Sequence, residues 1–464
     1  MTEPGSKVFE KVDSFIESIQ NEFEDKLAGI VEIPTISMDP NYQADMPRGA
    51  ALAAEYLKAA GAASAEIVAT EGNPVIIGKF ITDPKNPTVT IYNHMDVQPA
   101  QEPEWTREPF KFDRQEGRYF GRGTTDDKGP AITALYGARY AIENGVPINI
   151  NFLWEMEEEI GSPSFDKFLK QNAEKLQCDS IVVSDTEWIA RGCPAIPYGL
   201  RGVQGLTVHL ETAATDVHSG TAGGAARNPI AELAALVQDC FDAKTGKVKI
   251  PGFYKDVIPP TRKEIESFLK SGFTVKHFKQ ALGLKKMRTE NAPEVLRRIF
   301  AMPTFEVHGL VGGYTGPGVK TIIPPRGELK ITMRLVPKQR AGKIFTLVSK
   351  FIKSKNKDVI VKKENSLEPY LGPFSGPLAD AGRTAMKFAF GKDPAFTREG
   401  GSIGAVVTME KYLKAPILFL GLSLPEHGYH APNENYDWEQ ASGGIKMFAK
   451  YFDEISRLPR KEKS

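Results

Sequence analysis

The sequence predicts an α/β protein: a mostly parallel sheet covered by helices, interrupted by a smaller, inserted α+β unit of ferredoxin-like order. Three observations carry that prediction. Short apolar, β-branched runs at residues 89–92, 148–154 and 180–184 alternate with helical periodicity, the signature of strand–helix–strand units. From about Gly202 the texture shifts to half-buried alternation, first at residues 203–210. The α/β texture then resumes, with residues 416–422 reading as another buried strand.

Taken in order, Phe9, Val12, Ile16, Ile19, Phe23 and Leu27 recur at steps of three and four, which predicts an amphipathic helix. Residues 89–92 form the core of a strand running into His94. Ile132, Leu135, Arg139 and Ile142 mark a helix after Gly129-Pro130, with Gly145 as its stop. The strand at 148–154 ends near Glu158, and that at 180–184 ends at Asp185. In the second unit, strands at 203–210, 305–310, 329–335 and 359–361 and helices at 230–241 and 343–352 give the order β-α-β-β-α-β. Residues 244–300 read as a helical, charged insertion within it. At 464 residues the chain exceeds one ordinary core. The expected division is 1–202 and 373–464 as one catalytic domain, with 203–372 inserted as a lid and dimerisation domain.

Composition excludes several classes of function. Lys+Arg 59 against Asp+Glu 58 leaves a net charge of +1, so no nucleic-acid partner is expected. The Lys285-Lys286 pair and the basic C-terminal tail read as solvated surface. Cys178, Cys193 and Cys240 form no CxxC pair, which suits a reducing compartment and argues against zinc held by thiolates. No apolar h-region follows the N-terminus, and the apolar stretch at 415–424 is too short to span a bilayer. A cytoplasmic enzyme that does not engage membranes is expected. Residues 309–321 are glycine-rich and include Lys320-Thr321, but Val319 stands where a phosphate loop needs glycine.

The chemistry concentrates in an ordered series: His94, Asp126, Glu159, Asp185 and His430, each expected just past a strand, where ligands bind in open α/β sheets. Singly, each has a bland reading: consecutive acids line solvated faces, and Asp126-Asp127 could cap a helix. Together, two imidazoles and three carboxylates form a donor set for two divalent ions, Zn²⁺ first and Mn²⁺ as the alternative, sharing one carboxylate and a hydroxide. Glu158, beside a ligand, is placed to act as general base. Asp96 can accept the ring N–H of His94 and orient it. His427 competes with His430 for the ligand role. His209, His277 and His308 are assigned none.

These segments resemble a known family. Tyr92-Asn93-His94-Met95-Asp96-Val97-Gln98-Pro99 is similar to the HxDxxP motif of the M20 metallopeptidases. Gly121-Arg122-Gly123-Thr124-Thr125-Asp126-Asp127-Lys128-Gly129 resembles their bridging-aspartate loop, Glu158-Glu159-Ile160-Gly161-Ser162 their EExGS segment, and His430-Ala431-Pro432-Asn433-Glu434 their HxxNE motif. The likeness covers nearly the whole chain. Within the family it is strongest to the cytosolic non-specific, carnosinase-like and cysteinylglycine dipeptidases, through Tyr198-Gly199-Leu200-Arg201-Gly202, Asp216-Val217-His218-Ser219-Gly220 and Arg398-Glu399-Gly400-Gly401-Ser402. Asn93, where the family usually has glycine, and Glu157, where a less acidic residue is common, depart from it. The resemblance implies that His94, Asp126 and Asp185 hold one metal and Asp126, Glu159 and His430 the other, with a cis Asp126–Asp127 peptide. It further implies that Glu158 is the base, that His218 reaches the partner's site across a homodimer, and that Arg334 clamps the carboxylate of a small peptide. Glu399 and Ser402 would touch the substrate, Glu399 at its amine. The implied activity is dipeptide hydrolysis. An aminoacylase, a carboxypeptidase or a catalytically idle metal-binding dimer are the alternatives.

Overall fold

A computed structural model of the chain describes residues 9–459. The readings made on the extreme N-terminus and the basic C-terminal tail fall outside the described residues. The central six-stranded sheet runs in the order Ser64–Val68, Val75–Phe80, Asn149–Glu155, Thr88–His94, Ser180–Val183, Ile417–Phe419. The last four strands are parallel, while the first two extend the edge antiparallel, so the sheet is mixed. That edge escapes the sequence pattern for a physical reason. Ser64–Val68 is half-exposed along its length, and Gly78-Lys79 breaks the apolar run of its neighbour.

Alternation of side chains along each buried strand feeds two cores. Phe152, Trp154, Ile91 and Val182 point to the face covered by helices Val12–Val31, Asp45–Ala59, Lys128–Glu143 and Trp438–Ser456. Leu153, Tyr92, Ile181 and Val183 point to the opposite face, under Phe165–Asn172 and Gly404–Leu413. Both faces are therefore dry, and the ligand-bearing strand ends are held from both sides. Truncating a residue such as Leu153 to alanine would cost about 2–5 kcal/mol in a core of this kind.

The β-α-β-β-α-β segment closes into a four-stranded antiparallel sheet in the order Glu306–Gly312, Arg326–Leu335, Gly202–Glu211, Ile360–Leu367. Along Arg326–Leu335 every second residue is buried, and those residues meet helices Pro229–Cys240 and Ala341–Lys355 on one face. Asn228 starts the first of these helices by accepting from the N–H groups of Ile230 and Ala231.

The helices of the insertion pack away from this small sheet, while Val248, Ile250 and Phe253 ahead of them join its core. Those helices, Arg262–Leu269, Val275–Ala281 and Ala292–Ala301, bury Phe268, Val295, Leu296 and Phe300 in the large unit's core, with Ile196, Tyr198 and Phe396. Glu264 fixes the contact by accepting from Tyr198 and Arg398. Among the described residues, no helix is long and apolar enough to cross a membrane.

Candidate metal centre

Three of the five ligand-type residues sit where strands of the central sheet end. His94 is the last residue of Thr88–His94, Asp185 lies two residues beyond Val183, and Glu159 occupies a single 3₁₀ turn after Asn149–Glu155. The other two arrive differently. Asp126 lies in the loop between Arg118–Phe120, a strand of a separate three-stranded sheet, and helix Lys128–Glu143. His430 follows the 3₁₀ turn Pro425–His427, eleven residues beyond Phe419, and adopts a left-handed conformation (φ 55°). The strand-end expectation is thus corrected for Asp126 and His430. A loop can bring a ligand inward where the sheet offers no strand.

All five converge nonetheless. His94 Nε2 lies 2.9 Å from Asp126 Oδ1 and 3.9 Å from Asp185 Oδ2. His430 Nε2 lies 2.8 Å from Asp126 Oδ2 and 3.2 Å from Glu159 Oε2. Asp126 therefore turns one oxygen to each imidazole, the disposition a bridging carboxylate needs. Ligand atoms of His94, Glu158 and Asp185, and of His94, Asp126 and Glu159, form two groups whose members all lie within 4.8 Å of one another. The Asp126–Asp127 peptide is cis. His427 stays outside the cluster. It is buried, bonds Asp437 through Nε2 and accepts the Leu424 N–H on Nδ1.

Asp96 acts chiefly on the main chain. Its carboxylate accepts from the N–H groups of Glu158 and Glu159, both at 3.1 Å, and stands 3.5 Å from His94 Nδ1. The Asp96 backbone carbonyl is nearer that nitrogen, at 3.0 Å. Glu434, quoted above only as part of a motif, holds the bridging loop. It accepts from the N–H groups of Gly123, Thr125 and Asp126 and from Arg122 Nη1. Four residues after His430, it couples the two loops that carry the non-strand ligands. Asp127 accepts from Asn93 Nδ2, and Lys128 donates to the carbonyls of Ile30 and Ile33 at the end of the first helix. The adjacent acids after a glycine-rich loop hinted at such a cradle; the three-fold role of Glu434 has no local sequence signal.

The donor set fits divalent metal. None of the carboxylates of Asp126, Glu158, Glu159 and Asp185 is ion-paired to a lysine or arginine among the described residues; only imidazoles, an amide and a phenol meet them. Buried carboxylates without cationic partners resist ionisation. Burial pushes Glu158 well above the usual carboxylate range, His94 opposing and Asp185 and Glu159 adding to the rise. Burial and Asp126 raise Glu159 to about 7. Conversely, burial disfavours the His430 imidazolium, but Asp126 and Glu159 outweigh it and raise the ring to about 11. Without metal, protons hold this cluster together; divalent cations are the natural replacement.

The remaining sequence-derived residues lie beyond the floor. Arg334 Nη1 donates to Ser402 Oγ at 3.0 Å, and Ser402 Oγ donates to the Arg201 carbonyl. Burial raises Glu399 to about 8, with Glu187 and Asp185 adding and Arg201 opposing. His218 is exposed on the small unit and contacts none of the metal-centre residues within one chain. Its Nδ1 accepts the Gly220 N–H at 3.0 Å, so the neutral ring carries its proton on Nε2.

Comparison with known proteins follows the same lines. The profile of peptidase family M20/M25/M40 matches residues 90–454. The chain is 30% identical to the Beta-Ala-His dipeptidase of Homo sapiens, covering 98% of this chain and 94% of that one. It is 31% identical to the Cys-Gly metallodipeptidase DUG1 of Saccharomyces cerevisiae, covering 98% of each. Its structure matches that of an M20 family metallo-carboxypeptidase, Sso-CP2 from Sulfolobus solfataricus, with a TM-score of 0.85, 28% identity and coverage of 94% and 100%. With the profile reaching the four parallel strands of the central sheet, the four-stranded sheet and all five ligand-type residues, the chain belongs to peptidase family M20/M25/M40 and is a metallopeptidase.

Proposed function

We propose that this enzyme hydrolyses dipeptides at a two-metal centre completed by a second copy of the chain. The observation that carries this reading is Asp126, whose two carboxylate oxygens face His94 and His430, together with Arg334, which meets a hydroxyl and no acid among the described residues. A free carboxylate suits Arg334, and Glu399 is assigned to the free amine that a dipeptide carries one peptide bond away. His94, Asp126 and Asp185 would hold one ion and Asp126, Glu159 and His430 the other, zinc first and manganese as the alternative. Such ions supply Lewis acidity, polarising the scissile carbonyl and acidifying water.

The chain's own residues do the rest. Glu158, set by Asp96 through its main-chain N–H, takes the proton of the attacking water and returns it to the leaving amine. Arg334 engages the substrate carboxylate with its guanidinium. His218 of a second protomer donates its Nε2–H to the developing oxyanion, since within one chain it faces solvent. Residues 203–372 form the lid and dimerisation domain of this reading, with 1–202 and 373–464 as the catalytic domain. Closure of the lid would exclude water. The cysteine usage fits a cytoplasmic enzyme.

The fold likeness to a metallo-carboxypeptidase supports a second reading, cleavage of the last residue from longer chains. Parallel assays on a dipeptide, its N-acetylated form and a tripeptide separate the two. A dipeptidase cleaves the first and is slow on both others. Equal rates on the dipeptide and the N-acetylated form would overturn the dipeptidase reading.

A further inference from the structure

A cavity of about 570 Å³ opens beside the carboxylate clamp, between the helical insertion and the Glu306–Gly312 strand. Arg201, Lys286, Arg288 and Arg298 line it, with Glu306 as the carboxylate at its rim. Thr304, also on its wall, ties it to Arg334: the Thr304 N–H donates to the Arg334 carbonyl, and the Arg334 N–H to Thr304 Oγ. The cavity therefore adjoins the Arg334 segment, and Arg201 on its wall accepts through its carbonyl from Ser402, the hydroxyl that Arg334 also meets.

Its cations differ in what they already hold. Arg298 is satisfied by Glu294. Arg288 donates to the Ala243 carbonyl and packs over Phe241, and Lys286 is exposed at the mouth. Arg201 is the outlier. It is partly buried, its Nε donates to the Gly400 carbonyl, and it makes no ion pair among the described residues. Burial and the Arg334 guanidinium beside it lower Arg201 to about 10, with Glu399 and Glu306 opposing. Arg334 likewise has a hydroxyl, not a carboxylate, as its partner. Two neighbouring guanidinium groups, each withdrawn from water and neither in an ion pair among the described residues, suit two anionic groups. One terminal carboxylate accounts for one of them.

Resting on the dipeptidase reading, we infer that Arg201 and the cationic wall of this cavity form a side-chain subsite for an acidic C-terminal residue. The favoured substrate class is then a dipeptide ending in aspartate or glutamate, its α-carboxylate on Arg334 and its side-chain carboxylate on Arg201. A planar guanidinium binds a carboxylate through parallel hydrogen bonds, a match that a neutral amide cannot reproduce. The Arg201 anchoring to the Gly400 carbonyl presets its direction, so the preference is built into the free enzyme.

The test compares kcat/KM for Ala-Glu and its isosteric neutral analogue Ala-Gln on the metal-loaded enzyme. Ala-Glu is expected to win by about tenfold or more, as suits one charge-assisted contact. The Arg201→Gln variant is expected to bring the ratio close to one, chiefly through KM for Ala-Glu. Lys286→Gln combined with Arg288→Gln, at exposed positions, should lower the ratio by about threefold through lost long-range attraction; this double variant decides the matter if Arg201→Gln does not fold. An Ala-Glu to Ala-Gln ratio near one in the unaltered enzyme, or a ratio that survives both variants, overturns the subsite. Failure to cleave either peptide overturns the dipeptidase reading instead. Cleavage of both without discrimination leaves that reading intact and removes only the acidic subsite.

Discussion

At the metal floor, ligand-bearing segments are fastened by main-chain hydrogen bonds within one unit of the chain. Glu434 holds three N–H groups of the Asp126 loop, and Asp96 holds two of the Glu158-Glu159 turn. The clamp is assembled otherwise. Arg334 belongs to the small sheet and Ser402 follows the Ala395–Glu399 strand of the large unit, so their contact crosses between the two. His218 stands farther off, exposed and without a contact to the floor. The difference separates what one chain fastens by itself from what, on the proposed reading, needs domain closure and a second copy. A rigid floor positions metal before substrate arrives; a clamp across two units can tighten around the substrate.

Breaking the floor without disturbing its metal should have the largest effect. Glu158→Gln removes the proposed proton acceptor and keeps the shape, so kcat should fall by about 10²–10⁴-fold. Metal content, measured by elemental analysis, should stay unchanged. Near-normal turnover in this variant would remove Glu158 from its role. His218→Ala tests the other half of the comparison, with an expected loss of about 10²–10³-fold in kcat. Mixing it with Glu158→Gln should restore activity if the proposed dimer forms, because a mixed dimer would contain one site with Glu158 from one protomer and His218 from its partner. No recovery on subunit exchange would mean that His218 serves its own chain or none.

A smaller, pH-dependent effect sharpens the account of the floor. In the metal-free chain, Glu159 is raised to about 7 and His430 to about 11. Between the unfolded values and these, the folded protein binds more protons than the unfolded chain, so its stability falls as pH rises. For Glu159 the loss runs from about pH 4.5 to about 7, and for His430 from about pH 6.5 upward. Metal takes the place of those protons. The gap in Tm between metal-loaded and metal-free protein should therefore widen from pH 6 to pH 8. A constant or narrowing gap would contradict the proton-for-metal exchange.

Much of this was legible in the sequence where function and regular structure coincide. His94 and Asp185 follow apolar strands, and strand ends of a buried sheet are visible in any run such as Ile91-Tyr92. Asp126 and His430 were legible by motif but misplaced by geometry, since loop paths depend on tertiary hydrogen bonds such as those of Glu434. The insertion's allegiance was hidden by its charge. Phe268 and Phe300 are spaced within separate charged helices, and what they pack against, Phe396 and Ile196, lies about a hundred residues away on either side. The Arg201 cavity was unreadable for a related reason. Its cations come from segments that meet only in the folded chain, and a lone arginine on a strand end carries no sign of lacking a partner.

The central claim is a pair of ions joined through Asp126. Metal-stripped protein titrated with Zn²⁺ and, separately, with Mn²⁺ in a calorimeter tests it most directly. The expected result is two ions per chain in the unaltered protein, with Asp126→Ala weakening both steps because that carboxylate faces His94 and His430 alike. Binding of a single ion, or two ions bound with unchanged affinity after Asp126→Ala, would contradict the shared-carboxylate centre.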